Sequence, residues 1–159
     1  MLYYHYMEKT NVMRLLEANC VEYSVYTYDP LVTDGLSVAN LVGKEADMVF
    51  KTLVTVGSDK NYYVFMIPVN CSLDLKKAAC AVGVKSVAMI ALKELLPLTG
   101  YVHGGCSPVG MKKKFITVVN DTALIFDKIC FSAGKRGIQI EADPEDLRKI
   151  TNHTYFDVI

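Results

Sequence analysis

The sequence predicts an α+β domain in which short helices flank a mixed, largely antiparallel sheet. Two observations carry this expectation. Short runs of β-branched and aromatic residues recur along the chain, joined by links of hairpin length. Short, capped helical segments are interspersed among them.

Taken in order, residues 1–6 (MLYYHY) read as an extension ahead of Met7. Thr10 caps a first helix whose Val12, Leu15 and Leu16 form an i, i+3, i+4 stripe, and Asn19 suits its end. Tyr23 to Tyr28 is an aromatic, β-branched strand broken by Asp29-Pro30. Ser37 to Val42 is a short helix stopped by Gly43. The strongest strand is Val49 to Val56, and GSDKN links it to residues 62–69 as a hairpin. Ser72 is expected to cap a helix through Leu73, Lys76, Lys77 and Ala79 that stops at Gly83. Ser86 to Ile90 is a short strand, and LKELL is an amphipathic turn ended by Pro97.

Residues 100–111 hold too much glycine and proline for a regular element. Strands follow at Phe115 to Asn120 and Lys128 to Phe131, with the turn DTAL between them. SAGKRG reverses the chain into Ile138–Glu141. Asp143-Pro144 starts a helix, with Glu145 and Asp146 at the positive end of its dipole. Tyr155–Val158 is a terminal strand. No repeat or linker interrupts the series, so all 159 residues are expected to fold as one unit.

Composition removes several functional classes. Apolar residues make up 52% and charged residues 21%, which excludes a disordered chain. A chain of this size hides about 69% of its surface, enough for a core without staples. Seventeen basic and seventeen acidic residues cancel, so any contact with nucleic acid is expected to be local. No apolar run approaches the roughly 18 residues of a membrane span. The first residues also lack the basic start and apolar block of a signal peptide. A cytoplasmic protein with no membrane partner is expected. Cys20, Cys71, Cys80, Cys106 and Cys130 form no C-x-x-C pair, and His5, His103 and His153 are scattered. Neither a metal site nor a cofactor is expected.

Three features point to chemistry. Lys51 interrupts an otherwise apolar strand, where an ammonium must be paired or led to solvent. It is either a snorkelling edge lysine or a fixed cation at a pocket floor. The loop Gly104-Gly105-Cys106-Ser107-Pro108-Val109-Gly110 lets backbone approach a ligand, and its amides could bind a carbonyl oxygen. Cys106 has no base beside it in sequence except His103, so it is a poor nucleophile candidate. Lys112, Lys113 and Lys114, then Lys135 with Arg136, lie beside glycine-rich turns in a chain with no net charge. That pattern fits a phosphate-bearing ligand that lands in one place. Neither G-x-x-x-x-G-K-[ST] nor G-x-G-x-x-G occurs, which disfavours a nucleotide hydrolase or dinucleotide fold.

Val49-Phe50-Lys51-Thr52-Leu53, Gly104 through Lys113, and Ser132-Ala133-Gly134-Lys135-Arg136-Gly137 together resemble the YbaK/EbsC family. That family is related to the editing domain inserted in bacterial prolyl-tRNA synthetases. The resemblance runs in order from about Thr10 to Val158. It implies a free-standing deacylase that removes the wrong amino acid from charged tRNA, with Cys-tRNA(Pro) as substrate. It implies catalytic roles for Lys51 and Gly104, and substrate contacts at Tyr28, Thr52, Gly105, Ser107, Pro108 and Ser132. Lys112, Lys113, Lys135 and Arg136 are the candidate tRNA-phosphate contacts. The implied partner is the aminoacyl-tRNA acceptor end, with a prolyl-tRNA synthetase as a candidate second partner.

The chain departs from the family pattern at Asp34, where some members carry phenylalanine, at Gln139, where some carry an acid, and at Cys106, often aliphatic. The implied mechanism is attack by the substrate's own thiol on its ester carbonyl, so no enzymic nucleophile is needed. An editing hydrolase for Ala-tRNA(Pro) and a non-catalytic binder of tRNA or nucleotide remain as alternatives. Thr52 argues against the first, since alanine-editing relatives often place asparagine there.

Overall fold

The most apolar stretch of the chain, residues 49–69, folds as the expected hairpin, and the rest of the architecture is built on it. The computed structural model describes residues 8–159, so the expected extension at residues 1–6 lies outside the described residues. Strands β2 (Phe50–Gly57) and β3 (Tyr62–Pro68) pair antiparallel, with Lys51 opposite Ile67 and Thr52 opposite Met66. Asp59 tightens the link by accepting from Asn61 N–H at 3.0 Å and from the Tyr63 hydroxyl at 2.5 Å.

Two sheets form rather than one. Strands β4 (Val87–Met89), β5 (Ile116–Asn120) and β8 (Thr154–Phe156) extend the hairpin into a five-stranded mixed sheet in the order β4-β2-β3-β5-β8. The β3–β5 and β5–β8 pairs are parallel. Strands β1 (Tyr23–Thr27), β6 (Ile129–Ser132) and β7 (Ile138–Ala142) make a separate antiparallel sheet in the order β1-β7-β6. Among the described residues, a parallel bridge between Val49 and Cys130 joins the two. The DTAL segment is therefore a crossing from one sheet to the other, wound as a 3-10 turn at Asp121–Ile125.

The three-stranded sheet has unlike faces because side chains alternate along each strand. Val25, Ile129, Phe131, Ile138 and Ile140 join the main core with Phe50, Met66 and helix α1 (Asn11–Ala18). The opposite face carries Tyr26, Cys130, Ser132, Gln139 and Glu141. Helix α2 (Gly35–Leu41) belongs to this second face, since its Ala39 packs with Val49, Val69 and Cys130. Beyond it, Lys44 reaches Glu141 at 2.9 Å and lies 4.8 Å from the Tyr26 ring centroid. The Glu141 carboxylate is the largest cause raising the Lys44 pKa above its ordinary value. Helix α3 (Leu75–Val82) covers the outer face of the hairpin through Ala78 and Ala79, packed with Phe65, Ile67 and Val87.

Four local expectations need correction. Helix α2 begins at Gly35, because Asp34 caps it by accepting from Ser37 N–H at 3.1 Å. Asp74, not Ser72, caps α3, accepting from the amides of Lys76 and Lys77 at 3.0 Å each. Pro97 does not end α4 (Leu92–Thr99). It sits inside that helix, and the helix closes at Gly100, in the left-handed region at φ 83°. The terminal strand begins at Thr154 rather than Tyr155. Helix α5 (Pro144–Thr151) starts as expected, with the Asp143 carboxylate accepting from Glu145 N–H at 2.8 Å.

Candidate active site

A cavity of about 290 Å³ opens where the first residues of β2 leave the five-stranded sheet and meet the polar face of the other sheet. Residues 49–53, Leu95 in the middle of α4, the loop at His103, Gly104 and Cys106, and the start of α2 at Asp34 and Gly35 form its walls. Ser132 and Gln139 face each other across the β6–β7 hairpin and complete it, together with Tyr28. Its size is on the order of ten water volumes. That accommodates a small amino acid and part of a sugar, not a whole nucleotide.

Five of the expected catalytic and substrate-contact residues meet here: Tyr28, Lys51, Thr52, Gly104 and Ser132. Lys51 is half-buried and belongs to none of the ion pairs formed among the described residues. Its charge nonetheless helps hold the Asp34 carboxyl below its ordinary pKa, after the two hydrogen bonds from Ser37. Two buried polar atoms in the cavity wall, Thr52 Oγ1 and Gln139 Oε1, have no partner among the described residues. Burying an acceptor unpaired costs about 1–3 kcal/mol, which ligand or solvent would have to offset. The polar inventory of the cavity thus exceeds what the fold itself uses.

The glycine-rich loop is held by three interlocked turns. Gly104 sits at φ 85°, and a Cβ there would lie 2.9 Å from Thr33 Cγ2. A Cβ on Gly105 would lie 3.2 Å from the backbone nitrogen of Arg136, so the loop and the 135–136 turn touch directly. Arg136 Nε donates to the His103 carbonyl at 2.7 Å, and Tyr28 N–H donates to the Gly137 carbonyl at 2.9 Å. Gly105 N–H closes its own turn onto the Val102 carbonyl at 3.0 Å, whereas the Gly104 and Cys106 amides have no partner among the described residues.

Gly105, Ser107 and Pro108 do not line the cavity. Ser107 is fully buried behind it, with its Oγ accepting from Val109 N–H at 3.3 Å. Pro108 lies on the other side of the loop, in a groove it shares with Lys113, Lys114 and Lys149. Lys112, Lys113, Lys135 and Arg136 are all exposed around this loop.

Cys106 faces the cavity, but burial pushes its thiol up to about 12. A thiol that stays protonated at neutral pH is not an activated nucleophile. Sequence reasoning noted Asp34 only as a departure at the pocket wall, and it passed over Thr33. The Asp-Gly-Leu-Ser start of α2, an N-cap pattern, was the signal that could have placed Asp34 correctly.

A model of the family described as "Aminoacyl-tRNA editing domain" matches residues 30–150, which include every wall of this cavity except Tyr28. The chain belongs to that family. It is 46% identical over 155 residues to the Enterococcus faecalis protein named "Putative Cys-tRNA(Pro)/Cys-tRNA(Cys) deacylase EbsC", covering 95% of this chain and 93% of that one. Two solved structures share the fold. "Hypothetical protein APE2540" superposes with a TM-score of 0.86 at 23% identity, covering 94% of this chain and 99% of its own. "A putative trans-editing enzyme for prolyl tRNA synthetase" does so with a TM-score of 0.81 at 24% identity, covering 96% and 98%. These two structures therefore share the α+β frame described above. No helix among the described residues is long and apolar enough to cross a membrane.

Proposed function

We propose that this editing domain acts as a trans-acting deacylase on tRNA carrying a small, wrong amino acid, with Cys-tRNA(Pro) as the preferred substrate. The observation that carries the reading is a cavity with a lone ammonium and unpaired polar groups but no activated nucleophile. Such a site suits a substrate that brings its own nucleophile. The cysteinyl thiol bonds to its own carbonyl carbon, the ester C–O bond breaks, and the thiol proton ends on the 3′-oxygen of the tRNA. The four-membered thiolactone released is then opened by water to cysteine.

The protein's part is to place the ester and to stabilise charge on the carbonyl oxygen. Lys51 and the free amides of the Gly104 loop are the groups assigned to that oxygen, with Tyr28, Thr52 and Ser132 bounding the amino acid. Synthetases need such a second site because a pocket discriminates one methylene by only about 1–3 kcal/mol. Purified protein should deacylate Cys-tRNA(Pro) in preference to Ala-tRNA(Pro) and Ser-tRNA(Pro) when the three are assayed side by side. Binding of all three without turnover would overturn the enzyme reading.

Two further outcomes follow from the loop. Gly104→Ala should cut the deacylation rate by roughly 10²-fold, the usual scale for losing an oxyanion donor. Left-handed backbone strain of about 1–2 kcal/mol, together with the displacement of Thr33 by the new Cβ, should lower the Tm by several degrees without unfolding the chain. A variant that keeps its rate would remove the loop from the reaction. Lys112→Ala and Lys135→Ala should instead weaken tRNA binding and flatten its dependence on salt by about one unit of log–log slope each. An unchanged slope in both would place the tRNA elsewhere on the surface.

A further inference from the structure

We propose that Asp34 holds the α-ammonium group of the substrate, so that this chain selects aminoacyl esters whose amine is free. The inference rests on the deacylase reading and adds a recognition element to it. In any aminoacyl ester the amine is two bonds from the carbonyl carbon, so a cavity that seats the carbonyl must also receive the cation. Lys51, assigned to the carbonyl oxygen, repels that cation. Among the residues lining the cavity, Asp34 is the one carboxylate.

The Asp34 carboxylate is ready for this role. Its Oδ2 accepts from Ser37 N–H at 3.1 Å and from Ser37 Oγ at 2.8 Å, which fixes the side chain at the entrance to α2. Asp34 is exposed, and its Oδ1 has no hydrogen-bond partner among the described residues, so it is open to an incoming donor. Capping alone does not require a charge, because asparagine and serine cap helices about as well. A second observation points to a donor-bearing ligand. Gln139 is 6% exposed and lines the same cavity, and its buried Oε1 has no partner among the described residues. That amide oxygen can accept an N–H but cannot balance a positive charge, so the balancing charge falls to Asp34.

The test compares the full protein with Asp34→Asn on Cys-tRNA(Pro) and on N-acetyl-Cys-tRNA(Pro), which keeps the thiol and loses the cation. Asparagine preserves the cap, so thermal melts of the two proteins should coincide. The natural chain should show a KM about tenfold lower for the free amine than for the acetylated ester, the scale of one charge-assisted contact. Asp34→Asn should raise KM for the free amine by that factor, leave kcat within about twofold, and leave the acetylated ester unchanged. An equal loss on both esters would mean that Asp34 acts through Lys51 or the helix, and overturns the proposal. No change on either does the same. If the natural chain cleaves neither ester, the deacylase reading has failed first.

Discussion

Lys51→Ala should abolish most deacylation while leaving the fold intact. The expected loss is roughly 10²-fold or more in the single-turnover rate, with a Tm within a few degrees of the natural chain. The structural reason is the separation of the two roles. The backbone of Lys51 pairs with Ile67 in the hairpin, and alanine keeps that pairing. Its ammonium, by contrast, enters no ion pair among the described residues and borders a cavity with unsatisfied polar atoms. Nothing in the packing needs the charge. Lys51→Arg is the informative companion, since it keeps the charge but spreads it over a larger planar group. Chemical hydrolysis by quench-flow and thermal melts by circular dichroism decide the matter. A variant that unfolds, or one that turns over normally, makes this lysine structural.

The second large effect separates the substrate's thiol from the protein's. With burial pushing its pKa up to about 12, Cys106 stays protonated near neutrality. A free cysteine thiol, with pKa near 8.5, is a few per cent thiolate there. Burial thus disfavours the Cys106 thiolate, whereas the substrate carries a thiol of ordinary acidity into the reaction. Ser-tRNA(Pro) should accordingly be cleaved at least about 10²-fold more slowly than Cys-tRNA(Pro), despite similar size, because its hydroxyl does not ionise near neutrality. Cys106→Ala should keep its rate within about twofold. An inactive Cys106→Ala that accompanies equal cleavage of both esters would establish covalent catalysis by the loop instead.

Elements defined by local chemistry were legible in the sequence. The 49–69 hairpin follows from two β-branched runs around GSDKN, and α5 follows from Asp143-Pro144. Helix starts were misread where two capping residues competed. Ser72 precedes Asp74, and Ser37 follows Asp34, and in each case the carboxylate takes the amides. Pro97 was read as a stop, but Leu96 and Thr99 carry the helix on to Gly100, where Gly100 N–H donates to the Leu96 carbonyl at 2.9 Å.

The division into two sheets could not be read locally, because β1 pairs with β7 and β3 with β5 across long stretches of chain. For the candidate site, motifs placed Lys51, Thr52, Gly104 and Ser132 at one cavity. They did not distinguish lining residues from supports such as Gly105 and Ser107. That distinction depends on which side of a buried turn meets solvent, and spacing carries no trace of it.

The long reach between β1 and β7 also sets when the site can come into being during synthesis. Tyr26 bonds to Glu141, 115 residues later, at 3.2 Å, and Gln139 closes the cavity wall opposite Tyr26 in register. A growing chain on the ribosome therefore carries Lys51 and the glycine loop well before any pocket exists around them. Until β7 emerges, β1 has no partner strand among the described residues. A topology so rich in distant pairings folds slowly compared with a helical bundle. A chain ending ahead of residue 138 would lack β7, and with it Gln139 and the strand that pairs with β1.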